Sequence, residues 1–209
     1  MSEAGGSTTQ SGILYQNSVA ALYLGRLLDE SFRAESESVI QVRVEAPAHV
    51  DDTVITFSDQ HKTYIQAKEN IRTGSQEWKS LWSHFDNQFR DQGFQHGQDR
   101  LLLHIGFGLQ EHYDLQALCE RAANSMNAAE WLSRLSQSQN DLLDKISPHL
   151  SMTGLTNEYQ REILAHVDVE ILPREAIERD RLRDWMPIPI EIHQNFLVCY
   201  VIKSAVQRE

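Results

Sequence analysis

A short apolar run in the middle of the chain, LLLHIGF at residues 101–107, constrains the fold more than any other segment. A run of this length that is apolar at almost every position is typical of a central strand covered by helices on both faces of a sheet. The segments before it have the periodicities of a helix, three strands and a second helix. The sequence therefore predicts an α/β fold, a mixed sheet flanked by helices.

The first half of the chain supplies the remaining elements of this sheet. Apolar residues at helical spacing predict an amphipathic helix over residues 14–33. The alternating segment 39–45 predicts a half-buried strand in which Ile40, Val42 and Val44 face the core.

A hairpin and an aromatic helix follow that strand. Segments 53–57 and 63–68 read as two strands joined by a tight turn. A helix is expected over residues 77–92, and the large side chains on one of its sides are expected to pack in the core. They are Trp78, Leu81, Trp82, Phe85 and Phe89.

The remainder of the chain reads as mostly helical. The predicted elements are helices at 114–124, 128–146, from about 157 and 174–185, a strand at 167–172 and an apolar final element at 195–206. Thr156 is expected to cap the helix that begins near Asn157.

The domain organisation follows from these elements. Residues 1–12 are expected to form a flexible arm, and residues 13–209 a single domain. Within that domain, 13–110 form a core and 111–209 a mostly helical C-terminal extension. The chain is expected to be the N-terminal part of a longer protein.

Charge and composition exclude several classes of protein. The formal net charge of −11 is spread evenly, because residues 1–109 carry a net charge of −5 and residues 110–209 a net charge of −6. Without a basic tail, a simple nucleic-acid-binding module is disfavoured. No apolar run approaches the roughly 20 residues of a membrane span. The two cysteines, Cys119 and Cys199, are expected to be buried and reduced, as in a cytoplasmic protein.

Other common sources of chemistry are weakly represented. None of the nine histidines forms an HxxxH metal pair, and His49 and His61 are expected in surface turns. Gly106 and Gly108 follow a predicted strand, but the third glycine of a dinucleotide-binding loop is absent.

The residues that carry chemistry lie at one end of the predicted hairpin. Gln66 and Lys68 are two residues apart on a strand and so project from the same face, with Ala67 turned away. The hairpin brings Asp51 or Asp52 near them. The predicted cluster therefore contains a carboxylate, an amide oxygen and an ammonium group.

These groups suit metal-dependent hydrolysis of a phosphodiester. Mg²⁺ prefers oxygen ligands and takes one or two carboxylates from protein. An aspartate would supply the charged ligand, and the Gln66 side chain or the Ala67 carbonyl a neutral one. Lys68 would orient the attacking water and offset the charge that develops on the phosphate.

The order of these residues resembles a known family. The pattern is similar to that of the restriction-endonuclease-like PD-(D/E)xK nucleases, above all the branch with a QxK motif, as in Mrr-type enzymes. It also resembles the N-terminal nuclease domains of bacterial antiphage effectors, which are fused to second-messenger sensors or STAND-type NTPases. The residues that carry the resemblance are Gly12-x-x-Tyr15-Gln16, Glu45, Val50-Asp51-Asp52 and Gln66-x-Lys68.

The resemblance implies a role for each matching residue. Asp52 would bind the metal, Gln66 would take the place of the usual glutamate, and Lys68 would be the catalytic lysine. Glu45 and Gln16 would support the metal site.

The sequence departs from the family pattern in two ways. No proline precedes the aspartate pair, and a carboxamide at Gln66 removes one negative charge. Weaker metal binding is expected unless Glu45 or Asp51 compensates. Either Asp51 or Asp52 could be the metal ligand, although the family pattern favours Asp52.

The resemblance also implies a function. The chain would be a Mg²⁺-dependent endonuclease of double-stranded DNA, with Mn²⁺ as a substitute metal. It would serve antiphage defence and be activated by homo-oligomerisation, with a sensor or NTPase domain following it. The alternative is a nuclease-derived module that has lost catalysis and serves oligomerisation or regulation.

Overall fold

The structure is a computed structural model that describes residues 4–28, 38–50, 52–150 and 156–180. Its strands are β1 (Val39–Val44), β2 (Thr53–Phe57), β3 (Lys62–Lys68), β4 (Arg100–Ile105) and β5 (Val167–Ile171). Its helices are α1 (Ala4–Leu28), α2 (Gln76–Phe89), α3 (Gln110–Ala123), α4 (Ala128–Ser133), α5 (Gln137–Ile146), α6 (Asn157–Ala165) and α7 (Arg174–Asp180). A 3₁₀ turn at Ser147–His149 follows α5.

The strands form one mixed sheet in the order β1-β2-β3-β4-β5. The first three strands pair antiparallel, and β3, β4 and β5 pair parallel. Each parallel connection passes through helices, as a crossover requires. The predicted α/β fold with a mixed sheet flanked by helices is therefore confirmed, as is the helical character of the C-terminal part.

The two faces of the sheet bury separate cores. The larger core packs side chains of α2, α3, α5 and α6 against one face. In it the rings of Trp78, Trp82 and Phe85 meet edge to face and are fully buried. The aromatic side chains of α2 therefore pack in the core, as the sequence predicts. The smaller core packs α1 and Ile177 of α7 against the other face.

Strand β4 lies inside the sheet, as its apolar sequence predicts. Leu101, Leu103 and Ile105 are fully buried beneath the helices of the larger core. Just after the strand, Gly106 lies where a Cβ atom would come within 3.0 Å of the Tyr15 ring and 3.1 Å of the Glu69 backbone. The close packing of Tyr15 and Glu69 explains why position 106 is a glycine. A nucleotide-binding role is not required to explain it.

The N-terminal part of the chain differs from the prediction. Helix α1 already begins at Ala4, so residues 4–12, expected as a flexible arm, are helical. Contacts distant in sequence hold this helix: the Ser11 hydroxyl donates to the Glu69 carboxylate, and the Tyr15 hydroxyl donates to the Leu172 carbonyl at 2.9 Å. Such contacts leave no periodic signal in the sequence.

Strand β1 also departs from simple alternation. Its register shifts between Val39 and Gln41, so Val39 is buried whereas Ile40 is 47% exposed. The prediction that Ile40 faces the core was wrong, because a bulge moves one residue out of the alternating pattern.

The predicted helix at 128–146 is two helices. Ser136 caps the second of them: its hydroxyl accepts from the Gln139 N–H, and the Gln139 side chain accepts from the Ser136 N–H. This capping box starts a new helix. Thr156 caps α6 as predicted, through its bond with the Tyr159 N–H.

Several remaining expectations concern single residues or the end of the chain. Cys119 is buried, and burial raises the pKa of its thiol. Cys199 and the predicted element at 195–206 lie outside the described residues. No helix in the described ranges is both long enough and apolar enough to cross a bilayer.

A buried histidine sits under α1. His104 is fully buried, and its Nε2 atom lies 3.0 Å from the Tyr23 hydroxyl. Burial, assisted by the Arg26 guanidinium, lowers the pKa of His104 to about 3. The Glu170 carboxylate lies 3.4 Å from Nδ1 but is more than half exposed, so water screens its attraction and burial dominates.

Neutral burial of His104 should make stability depend on pH. The unfolded chain binds a proton near pH 6.5 that the folded chain excludes, so this contribution is complete above pH 6.5 and is lost as the pH falls toward 3. We expect His104→Gln to flatten the fall in unfolding free energy between pH 7 and 4, by up to about 1.4 kcal/mol per pH unit. Urea denaturation across this range checks it, and parallel profiles for the two proteins would contradict it.

Candidate functional site

A cavity of about 230 Å³ lies between the ends of β2 and β3 and the first turns of α2. It opens on the sheet face that carries the larger core. Its lining residues are Asp52, Gln66, Lys68, Gln76, Glu77, Ser80, Leu81 and His84. The three polar residues predicted from the hairpin pattern therefore share one cavity.

Asp52 is fixed by the backbone of the neighbouring strand. The register between β2 and β3 ends at the pair Thr53–Ile65, so the Ala67 N–H lies beyond the last paired residue. Asp52 Oδ2 accepts a hydrogen bond from this N–H at 2.9 Å. The carboxylate thus replaces the missing backbone acceptor and is held at the mouth of the hairpin.

Lys68 completes the charged part of the site. Its Nζ atom lies 3.6 Å from Asp52 Oδ2, and the two side chains are 26% and 13% exposed. Partial shielding from water strengthens this attraction relative to a surface pair. The ammonium group is therefore held beside the carboxylate and still reaches the cavity.

Gln66 brings an amide into the same space. It is 3% exposed and lines the cavity. Among the described residues, neither its amide group nor Asp52 Oδ1 has a hydrogen-bond partner. Because both residues line the cavity, an oxygen atom of each is available to a ligand bound there.

The other predicted site residues lie elsewhere. Glu45 has φ of +49° and an exposed side chain, and it contacts the site through its N–H, which donates to the Asp52 carbonyl at 3.2 Å. The Glu45 side chain does not line the cavity. Ala67 contributes its N–H, while its side chain packs in the smaller core as strand parity predicts. Asp51 lies outside the described residues.

A second cavity of about 550 Å³ adjoins the first. Lys68 and Glu77 line both cavities, so the lysine stands at their boundary. Gln16, predicted to support the metal site, lines this second cavity together with Arg72. The structure thus brings Gln16 near Lys68 but does not place it in the cavity that holds Asp52.

Helix α2 supplies site residues that sequence analysis missed. Glu77, Ser80, Leu81 and His84 follow the i, i+3, i+4, i+7 spacing of one helix face and line the smaller cavity. This spacing was visible in the sequence, but nothing indicated that the face would meet the hairpin. His49 and His61 lie outside the cavity: His49 pairs with Asp91, and His61 stacks on Phe57.

The donor set fits a weakly held divalent cation. The described residues contain no group of three histidine, cysteine, aspartate or glutamate side chains placed to hold a metal. The cavity nevertheless offers a carboxylate oxygen and an amide oxygen, with Glu77 as a second carboxylate on its rim. Mg²⁺ accepts such a set because it retains several waters.

Comparison with known proteins yields one informative likeness. No family model matches the sequence. No curated protein matches it either. Among solved structures, the chain resembles the Acinetobacter baumannii Cap4 SAVED/CARF-domain containing receptor, solved with the cyclic trinucleotide 3'3'3'-cAAA. The TM-score is 0.53 at 13% identity, with 93% of this chain and 41% of the receptor chain covered. This shows a shared α/β fold, and the chain spans less than half of the receptor's length.

Substitution of Asp52 should separate its structural role from its charge. Asp52→Ala leaves the Ala67 N–H without its acceptor, and we expect a loss of about 1–3 kcal/mol of unfolding free energy. Asp52→Asn keeps a side-chain oxygen at this position and should cost clearly less. Chemical denaturation of both variants measures the difference. Equal losses would show that the hydrogen bond to Ala67 does not hold the hairpin end.

Proposed function

We propose that this chain is a Mg²⁺-dependent endonuclease of double-stranded DNA. The observation that carries the proposal is the meeting of Asp52, Gln66 and Lys68 in one cavity at the end of a hairpin. Their order along the chain, with Asp52 just before β2 and Gln66 and Lys68 on β3, is similar to that of the QxK branch of the PD-(D/E)xK nucleases.

Each residue has a distinct part in the proposed reaction. Asp52 Oδ1 and the Gln66 amide oxygen would hold the metal, while Asp52 Oδ2 stays bonded to Ala67. Bound Mg²⁺ supplies a water of lowered pKa and polarises the scissile phosphate. Lys68, held 3.6 Å from Asp52, would orient the attacking water and stabilise the negative charge that develops on the phosphate oxygens.

The biological setting proposed here is bacterial antiphage defence. The likeness to a SAVED/CARF-domain containing receptor, of which this chain matches less than half, supports an arrangement in which the nuclease is joined to a sensor domain. The net charge of −11 makes a single copy bind DNA weakly. Oligomerisation would overcome this through avidity, so that cleavage depends on activation.

A second candidate function is a nuclease-derived module without catalysis. The observation that favours it is Gln66, which leaves Asp52 as the only carboxylate that β2 and β3 bring to the cavity within the described residues. A titration of Mg²⁺ or Mn²⁺ against plasmid DNA distinguishes the two functions. A catalytic domain nicks the plasmid at high protein concentration, and an inactive module leaves it supercoiled at every metal concentration.

Replacement of Lys68 should abolish cleavage without unfolding the chain. Lys68→Ala removes the ammonium group at the cavity boundary, and we expect plasmid nicking to fall by at least about 100-fold. Lys145→Ala, which removes an exposed lysine on α5, is the matched control and should cleave normally. Nicking by Lys68→Ala at the control rate would refute the site assignment.

Restoring the usual glutamate should tighten metal binding. Gln66→Glu adds a carboxylate to the same cavity, so half-maximal activity should require less Mg²⁺, by about tenfold or more. Isothermal titration with Mn²⁺ gives a direct reading that does not depend on cleavage. Gln110→Glu, on the exposed first turn of α3, controls for the added charge. Unchanged affinity in Gln66→Glu would exclude this residue from the metal site.

A further inference from the structure

A third concavity, of about 420 Å³, lies on the same face of the sheet as the proposed nuclease site. Its floor is formed by β1, β2 and the first half of β3. We call it the β1–β3 groove, and the residues that define it here are Gln41, Arg43, His49, Thr56, Lys62 and Tyr64. None of them lines the cavity of Asp52, and the proposed cleavage chemistry does not use them.

Strand register places the groove in line with the nuclease site. Arg43, Val54 and Tyr64 form one row across the three strands. Asp52 and Gln66 lie two residues further along β2 and β3, on the same face. Since two residues of an antiparallel strand span about 7 Å, the Arg43 row lies about 7 Å from the Asp52 row.

The next row of residues, further from Asp52, contains a second cation, Lys62. Lys62 pairs with Thr56, which in turn pairs with Gln41. This row lies about 14 Å from the Asp52 row, again from strand geometry. Because DNA rises about 3.4 Å per base pair, the two cationic rows are separated from the proposed cleavage position by roughly two and four base pairs along the axis.

The charges in the groove contrast with the acidic chain. Arg43 and Lys62 have no carboxylate partner among the described residues, although the chain carries a net charge of −11. Asp91 also lines the groove, where its carboxylate lies 3.8 Å from His49 Nε2 and accepts a hydrogen bond from the Gly93 N–H at 2.7 Å. Because neither strand cation is paired with Asp91, both are available to an anionic ligand.

A neutral side chain also belongs to the groove. Tyr64 is 5% exposed, lines the groove and lies in the same row as Arg43, with Val54 between them. Burial, together with the charges of Asp99 and Asp91, raises the pKa of Tyr64 to about 12. Its hydroxyl therefore stays protonated and adds no negative charge to the groove.

We infer that the β1–β3 groove binds backbone phosphates of duplex DNA next to the position where Asp52 and Lys68 act. The inference rests on the proposed function for the identity of the ligand. What favours a nucleic acid over an isolated anion is that two cations, Arg43 on β1 and Lys62 on β3, lie in successive rows of the sheet face that also holds the Asp52 cavity. A polymer of phosphates can meet both cations while it reaches Asp52 and Lys68.

The test measures DNA binding without cleavage. Binding of a labelled duplex is followed by fluorescence anisotropy in EDTA at low salt, in the Lys68→Ala background so that no cutting occurs. We expect the double variant Arg43→Gln/Lys62→Gln to weaken binding at least about tenfold. The slope of log affinity against log salt should also fall by about two, one unit for each lost phosphate contact.

Controls exclude a general effect of charge or of misfolding. Lys145→Gln removes one exposed cation far from the groove and should leave the affinity and the salt slope nearly unchanged. Thermal unfolding verifies that all variants fold. The inference is overturned if the double variant binds like Lys145→Gln, or if the parent protein shows no salt-sensitive binding. It is also overturned if polyglutamate displaces the duplex as well as unlabelled DNA does, which would assign the groove to an acidic polypeptide.

This outcome is separable from the proposed function. If Lys68→Ala abolishes nicking but the groove variant binds normally, the nuclease stands and the groove assignment fails. If the groove variant loses binding while no metal supports nicking, the groove assignment stands and the protein is a DNA-binding module without catalysis.

Discussion

Strand β3 is the element on which the rest of the structure depends, because it pairs antiparallel with β2 and parallel with β4. The antiparallel side ends two residues before Ala67, whereas the parallel side continues to Lys68. The Ala67 N–H is therefore left without a strand partner on one side. Asp52 fills that vacancy, and the same bond positions its carboxylate beside Lys68.

This arrangement divides one sheet face into a packed and an open region. The helices of the larger core cover the β4 and β5 side, where Leu101, Leu103 and Val169 are buried. Toward β1 the same face also carries polar side chains, among them Gln41, Arg43 and Thr56, which line the β1–β3 groove. The proposed nuclease site lies between that groove and the first turns of α2.

The opposite face has a different task. There α1 and α7 close the smaller core over Ile55, Ile65 and His104. The burial of His104 keeps it neutral, so it contributes packing and one contact with Tyr23 rather than charge. Because α1 also carries Ser11 and Gln16 toward Glu69 and Lys68, its position links this core to the edge of the second cavity.

The sequence by itself determined most of the secondary-structure elements. It also determined that the polar site residues lie at one end of a hairpin. Strand parity placed Gln66 and Lys68 on one face and Ala67 on the other, because alternation is a local property of the extended chain. The apolar run at 101–107 likewise determined that β4 is covered on both sides. The early start of α1, the bulge at Ile40 and the break before Ser136 were not predicted, since each depends on contacts or caps that interrupt a period.

Only the tertiary structure decided which parts of the chain meet. Helix α2 brings Glu77 and His84 to the cavity, and the packing of one helix against one hairpin has no signature in spacing along the chain. The position of Glu45 has the same origin: its N–H bonds the Asp52 carbonyl, but its side chain is exposed and does not line the cavity. Local periodicity specifies the face on which a side chain lies, but long-range packing determines what lies opposite that face.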